Sequence, residues 1–147
     1  MSAGSDVGKV MTMMFTAVDL SSGRGWMLNA AHMPSFVVSN KYVTEYISPG
    51  YHLGKGKVND EVVEFSMKPG DVICLFTDGI ENQKHHGPPL SSSQRIKRLL
   101  KNADGLEGID QALKKTVGDF VYNENTDDVA YLLFELDPVP AAGESVT

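Results

Sequence analysis

The sequence predicts an α+β domain built on antiparallel strands, with its helices gathered late in the chain. Three observations carry this. Short apolar and β-branched runs between Val10 and Phe76 are separated by tight-turn signals rather than by helical segments. Helical periodicity appears only after Ser92, in two consecutive segments. A last apolar run, residues 129–136, then follows the helices. Strands that do not alternate with helices weigh against a Rossmann-type sheet, and no glycine-rich segment has the strand-to-helix setting that fold needs.

Taken in order, residues 10–18 read as a strand and Asp19-Leu20-Ser21-Ser22-Gly23 as a hairpin turn. Residues 25–31 read as the returning strand and residues 35–39 as its continuation, broken at Pro34. Residues 42–47 form another short strand, closed by Pro49-Gly50, and residues 51–60 a glycine- and lysine-rich loop. Residues 61–67 alternate as a half-buried strand. In Lys68-Pro69-Gly70-Asp71, Pro69 sets φ at the second turn position and Gly70 takes the φ > 0 position. Residues 72–76 then read as a fully buried strand. Ser92 or Ser93 is the expected cap of a helix through Lys101, with Ile96, Leu99 and Leu100 on one face. A second helix is expected over residues 107–122, with Ile109, Leu113, Val117, Phe120 and Val121 in register.

The chain has 147 residues, 41% hydrophobic and 22% charged, enough for one soluble domain with a moderate core. We expect an N-terminal flank at 1–9, the domain at 10–136 and a Pro- and Gly-containing disordered tail at 137–147. A net charge of −6 argues against a nucleic-acid or anionic-membrane surface, and no apolar run is long enough to span a bilayer. The single Cys74 excludes an intrachain disulfide framework and fits a reducing, cytoplasmic setting; it reads as a small buried hydrophobe. The small polar N-terminus lacks the features of a signal peptide and runs straight into a strand, as expected of a piece of something longer.

Chemistry concentrates in two acidic spots. Asp78 stands at the mouth of a buried strand and is followed by Gly79, a residue suited to a sharp turn or a close approach. Asp127-Asp128 has the mirror placement, just before the last strand, and adjacent carboxylates call for a cation or a donor nearby. Alone, each is also a common turn. If the strands at 72–76 and 129–136 are antiparallel neighbours, Asp78 and Asp127 converge at one sheet edge. Hard divalent ions such as Mg²⁺ and Mn²⁺ take such oxygen ligands. His32 is a candidate general acid or, alternatively, an orienting histidine at a strand end. His85-His86 reads as a solvated loop, Met11, Met13 and Met14 as core and sheet packing, and Lys97, Arg98 and Lys101 as a solvated basic face.

In order, these segments resemble the C-terminal half of the SpoIIE/RsbU-type phosphatases, a branch of the PPM (PP2C-like) metal-dependent serine/threonine phosphatases. Met11 to Gly23 is similar to that family's strand-and-turn segment. Asn29-Ala30-Ala31-His32-Met33-Pro34 is similar to its Asn-Ala-Gly-His-x-Pro motif. The run from Met67 through Pro69-Gly70-Asp71 and Thr77-Asp78-Gly79-Ile80 to Glu81 follows its Pro-Gly-Asp, apolar strand, Thr-Asp-Gly signature. Asp127-Asp128-Val129-Ala130 stands where the family has Asp-Asp-x-Thr. The resemblance implies an antiparallel β-sandwich with flanking helices, α-β-β-α, here apparently without its N-terminal strands and helices. It implies Mn²⁺ or Mg²⁺ (two ions in the complete domain), with Asp78 and Asp127 as metal ligands and Asn29, Gly79 and Asp128 in support, Asp128 facing a backbone amide or water. It also implies hydrolysis of phosphoserine or phosphothreonine without a phosphoenzyme, on a phosphorylated STAS-domain (anti-anti-sigma) regulator in bacterial partner switching.

Departures from the family sharpen the expectations. The family's first half supplies a bridging aspartate, a carbonyl ligand and two long helices, and nothing like it precedes Met11. Ser5-Asp6-Val7-Gly8-Lys9 lacks the second glycine of the corresponding hairpin, which leaves Asp6 outside the expected ligand set. Open sheet edges and exposed apolar surface should then drive self-association. Ala31 stands in place of a family glycine and Ala130 in place of its threonine, both expected to tune rather than abolish the site. The alternative function is a non-catalytic, phosphatase-like binding module with an incomplete metal site.

Overall fold

The computed structural model describes residues 9–47, 49–54, 56–57, 61–80, 92–118 and 127–138. Strands β1 (Met13–Val18), β2 (Arg24–Ala30), β3 (Ser35–Ser39), β4 (Tyr42–Tyr46), β5 (Val62–Ser66) and β6 (Val72–Phe76) come first. Helices α1 (Ser92–Asn102) and α2 (Gly105–Gly118) follow, and β7 (Tyr131–Glu135) comes last. The strands form two antiparallel sheets, in the orders β1-β2-β5 and β4-β3-β6-β7.

Side-chain alternation explains the layering. On β3, Val37 faces the other sheet and joins Met27, Phe65, Met67, Ile73 and Leu136 in the inter-sheet core. Its neighbours Phe36 and Val38 face the helices, with Cys74 and Phe76 beside them and Ile96, Leu100, Ile109 and Leu113 across from them. Fully burying each such side chain stabilises the fold by roughly 1.5–3 kcal/mol. β3 and β6 are buried on both faces, which is why their sequences read as continuous apolar runs. A Lys97–Glu45 ion pair and a Ser93–Glu45 hydrogen bond of 2.7 Å tie α1 to β4. The Tyr131 hydroxyl donates to Asp110 at 2.8 Å and ties α2 to β7.

The arrangement is the β-β-α portion of an α-β-β-α sandwich, with both described helices on the four-stranded sheet. The outer face of the three-stranded sheet leaves Phe15 61% and Val62 50% exposed.

Several expectations change in detail. The first strand begins at Met13; Met11 makes only an isolated bridge to Leu53, and both Met11 and Met13 are exposed rather than core. Residues 35–39 do not continue β2 but cross to the other sheet, because Ala31 (φ 54°) turns the chain before Pro34. Asn40 and Lys41 both have positive φ, the type I′ pattern that matches the twist of the β3–β4 hairpin. The Ser93 hydroxyl is committed to Glu45 instead of capping α1, and Lys97 is paired rather than solvated. Residues 119–122, His85-His86, Asp6 and residues 139–147 lie outside the described residues. Gly70 has φ 87°, as its turn position requires.

Candidate metal and phosphate site

Strand pairing builds the site. β6 and β7 run antiparallel with Phe76 opposite Tyr131, so the end of one lies beside the start of the other. Thr77 carries the contact one step further. Its amide donates to the Ala130 carbonyl at 2.9 Å, and its hydroxyl accepts from the Ala130 amide at 2.8 Å. The same hydroxyl lies 3.2 Å from the Asp128 and Ala130 carbonyl oxygens and, having one proton, donates to one of them at a time. The chain then turns through a 3₁₀ segment, Asp78–Ile80.

Gly79 is where the two segments touch. A Cβ placed there would lie 2.2 Å from the Asp128 carbonyl oxygen and 3.2 Å from that of Asp127. Glycine is required by the neighbouring backbone, and this close approach holds the Asp127-Asp128 segment against the residue that follows Asp78. The side chains of Asp78, Asp127 and Asp128 are exposed. Asp127 Oδ1 accepts the Asp128 amide at 2.9 Å.

The second half of the site comes from the β2–β3 turn. Asn29 is only 2% exposed and works as a staple. Its Nδ2 donates to the carbonyls of His32 (2.9 Å) and Met33 (3.2 Å), and its Oδ1 accepts the His32 amide (2.6 Å). All three bonds close the left-handed turn at Ala31 and set the position of His32. The imidazole Nδ1 lies 3.2 Å from Thr12 Oγ1. His32 and Asp78 line one cleft of about 300 Å³, together with Thr12, Ala31, Met33 and Pro34.

The structure therefore brings Asp78 to the same sheet end as Asp127-Asp128, and to the same cleft as His32. Carboxylate oxygens suit a hard divalent ion in kind. In number they fall short: among the described residues no group of three or more His, Cys, Asp or Glu is placed to hold a metal. Two contributors escaped the sequence reading. Thr77 lies inside the quoted motif, and a hydroxyl between a buried strand and Asp-Gly was the available signal. Thr12 sits 20 positions from His32 and gives none.

Solved structures place the fold. It is similar to the RsbU and RsbW domains of a Mycobacterium tuberculosis protein, with a TM-score of 0.72 and 23% identity, covering 88% of this chain and 37% of that one. It is similar to the PP2C phosphatase domain of Bacillus subtilis SpoIIE solved with a fragment of its regulatory domain (0.71, 23%, 86% and 38%). A manganese-presoaked SpoIIE phosphatase domain from the same organism gives 0.64 and 25%, with 88% and 62% covered. The fold is thus a PP2C-like sandwich, and the chain spans between 37% and 62% of the length of these matched chains. The profile of the stage II sporulation protein E (SpoIIE) family matches residues 1–137, and the chain belongs to that family. A search of curated proteins found no match.

Proposed function

We propose that this chain carries part of the active site of a metal-dependent protein phosphatase acting on phosphoserine or phosphothreonine. The observation that carries the reading is the convergence of Asp78 and Asp127-Asp128 at one end of the β6–β7 pair, beside the cleft that holds His32. Asp78 and Asp127 would hold Mn²⁺ or Mg²⁺, which when bound supplies an activated water and screens phosphoryl charge. The chain's own residues then position. Thr77 and Gly79 keep the two acidic segments together, and Asn29 holds the turn that presents His32. His32, whose Nδ1 lies 3.2 Å from Thr12 Oγ1, would supply a proton to the departing serine or threonine oxygen.

Within this reading the substrate is a phosphorylated STAS-type regulator in a cytoplasmic partner-switching circuit. The likeness to a solved RsbU–RsbW domain pair supports it. Self-association of the chain belongs to the same reading, supported by the exposed apolar residues of its outer sheet. A second reading, a non-catalytic binding module, is favoured by the small number of ligands among the described residues.

Hydrolysis of a phosphothreonine peptide with Mn²⁺ separates the two. The phosphatase reading expects turnover that needs Mn²⁺ and falls about 100-fold or more in Asp78→Asn, the scale of removing one group that stabilises transition-state charge. Turnover unchanged in Asp78→Asn removes Asp78 from the site. Partner binding without any turnover selects the binding module.

A further inference from the structure

The start of β1 delivers a hydroxyl to the histidine of the cleft. The β1–β2 ladder runs to Met13 opposite Ala30, so the adjoining residue, Thr12, stands beside the left-handed turn that carries His32. A second segment fixes Thr12 from its other side. The Met11 amide donates to the Leu53 carbonyl at 3.1 Å, and the Leu53 amide donates to the Met11 carbonyl at 2.9 Å. Gly54 (φ 93°) packs so closely here that a Cβ on it would lie 2.6 Å from the Lys9 carbonyl oxygen. Backbone pairing thus holds the chain on both sides of Thr12, while Asn29 holds His32 with three hydrogen bonds to the turn.

Between two groups anchored in this way, Thr12 Oγ1 and His32 Nδ1 lie 3.2 Å apart. The bond can run in either direction, and the two directions leave the ring with different chemistry. A hydroxyl that donates to Nδ1 requires the ring proton on Nε2. Protonating the ring must then reverse the bond, because both nitrogens of a charged imidazole are donors. A hydroxyl that accepts from Nδ1–H keeps the same bond in both states of the ring. Nε2 then gains and loses a proton while the ring stays anchored. Thr12, His32 and Asp78 line one cleft, the place where the reaction proposed above needs a proton donor.

We propose that Thr12 is a positioning residue for His32: its hydroxyl accepts from Nδ1–H, fixes that tautomer, and leaves Nε2 to carry the proton that is transferred. The proton passes from Nε2 to the departing serine or threonine oxygen and is replaced from water. The hydrogen bond made by one ring nitrogen sets which nitrogen is protonated, so the tautomer follows from the Thr12 contact itself. The destination of the proton rests on the phosphatase reading, whereas the tautomer does not. Valine has the shape of threonine without the hydroxyl, and serine keeps the hydroxyl without the methyl group. The two substitutions at Thr12 therefore separate the hydrogen bond from packing.

Long-range proton–nitrogen correlation spectra of the imidazoles test this on the metal-free full chain at about pH 9, where histidines are neutral. His32 is assigned by the signals that His32→Gln loses. The expected result is the Nδ1–H tautomer in the parent, lost in Thr12→Val and kept in Thr12→Ser. Turnover of a phosphothreonine peptide with Mn²⁺ should follow the same order. We expect kcat to fall about tenfold in Thr12→Val with KM unchanged, part of the roughly 10²–10⁴-fold that a placed proton donor contributes, and Thr12→Ser to restore it. An Nε2–H tautomer in the parent, or a tautomer that Thr12→Val does not move, overturns the proposal. Equal loss of kcat in Thr12→Val and Thr12→Ser overturns it as well, since packing alone would then explain the effect. The Nδ1–H tautomer, lost in Thr12→Val, in a parent without any turnover upholds the Thr12 contact and sinks the phosphatase reading alone.

Discussion

Gly79 and Asp128 are in backbone contact: a β-carbon on Gly79 would stand 2.2 Å from the Asp128 carbonyl oxygen. Real side chains do not tolerate that distance, so Gly79→Ala must push the Asp127-Asp128 segment away from β6. We expect a loss of about 1–3 kcal/mol, the usual cost of forced overpacking, by urea denaturation. Mn²⁺ affinity should fall in the same variant. Native stability in Gly79→Ala would show that the two segments move apart freely.

Ala31 behaves oppositely. It is a left-handed residue at φ 54°, the backbone region that favours glycine. The left-handed region costs a non-glycine residue about 1–2 kcal/mol, and glycine returns about 0.4–1 of that through unfolded-state entropy. Ala31→Gly is therefore expected to raise stability by up to about 1 kcal/mol, and Ala31→Val to lower it. A clear loss of stability in Ala31→Gly would show that the methyl group packs productively.

Cys74, on β6, is buried between the four-stranded sheet and the helices, and burial pushes its thiol up to about 12 from the ordinary 9.0. With the folded value raised, its contribution to stability is complete below about pH 9 and disappears as pH climbs toward 12. At pH 8 the native chain should react with a thiol reagent only at the rate of unfolding, and quickly in denaturant. Rapid labelling of the native protein would mean the β6 core opens locally.

Asp19 works at the acid end. Hydrogen bonds from the Ser21 and Ser22 side chains hold its carboxyl at about 2, below the ordinary 3.8. Because the folded value is lowered, what Asp19 contributes is present above pH 3.8 and lost as pH falls toward 2. The group is fully exposed, so the effect is small. Asp19→Asn should flatten the stability–pH curve within that window only; an unchanged slope there would mean the turn does not hold the carboxylate.

The sheet half of the fold was legible because its turns have strong chemistry. Pro69-Gly70 and Asp19 to Gly23 announce themselves, and the apolar runs between them admit little but strands. The β3–β4 hairpin was less legible, since Asn40-Lys41 places lysine where Asn-Gly is the usual signal. The crossing from β2 to β3 was misread as a bent strand because alternation does not say which sheet a strand joins. The site was legible in part. Asp78, Asp127 and Asn29 were named as candidates from their motifs, but Thr12 and Thr77 act through bonds to distant residues. Lys97 was read as solvated for the same reason, its partner Glu45 lying far away in the chain.

The central claim is that strand pairing makes Asp78 and Asp127 ligands of one ion. Its most direct test is a Mn²⁺ titration followed by electron paramagnetic resonance on four chains: the parent, Asp78→Asn, Asp127→Asn and the double variant. One shared ion requires that each single substitution weaken binding about tenfold or more and that the double variant be little worse than either, because neighbouring groups acting as a unit are not additive. Binding that survives both single substitutions, or losses that simply add, would contradict the shared site.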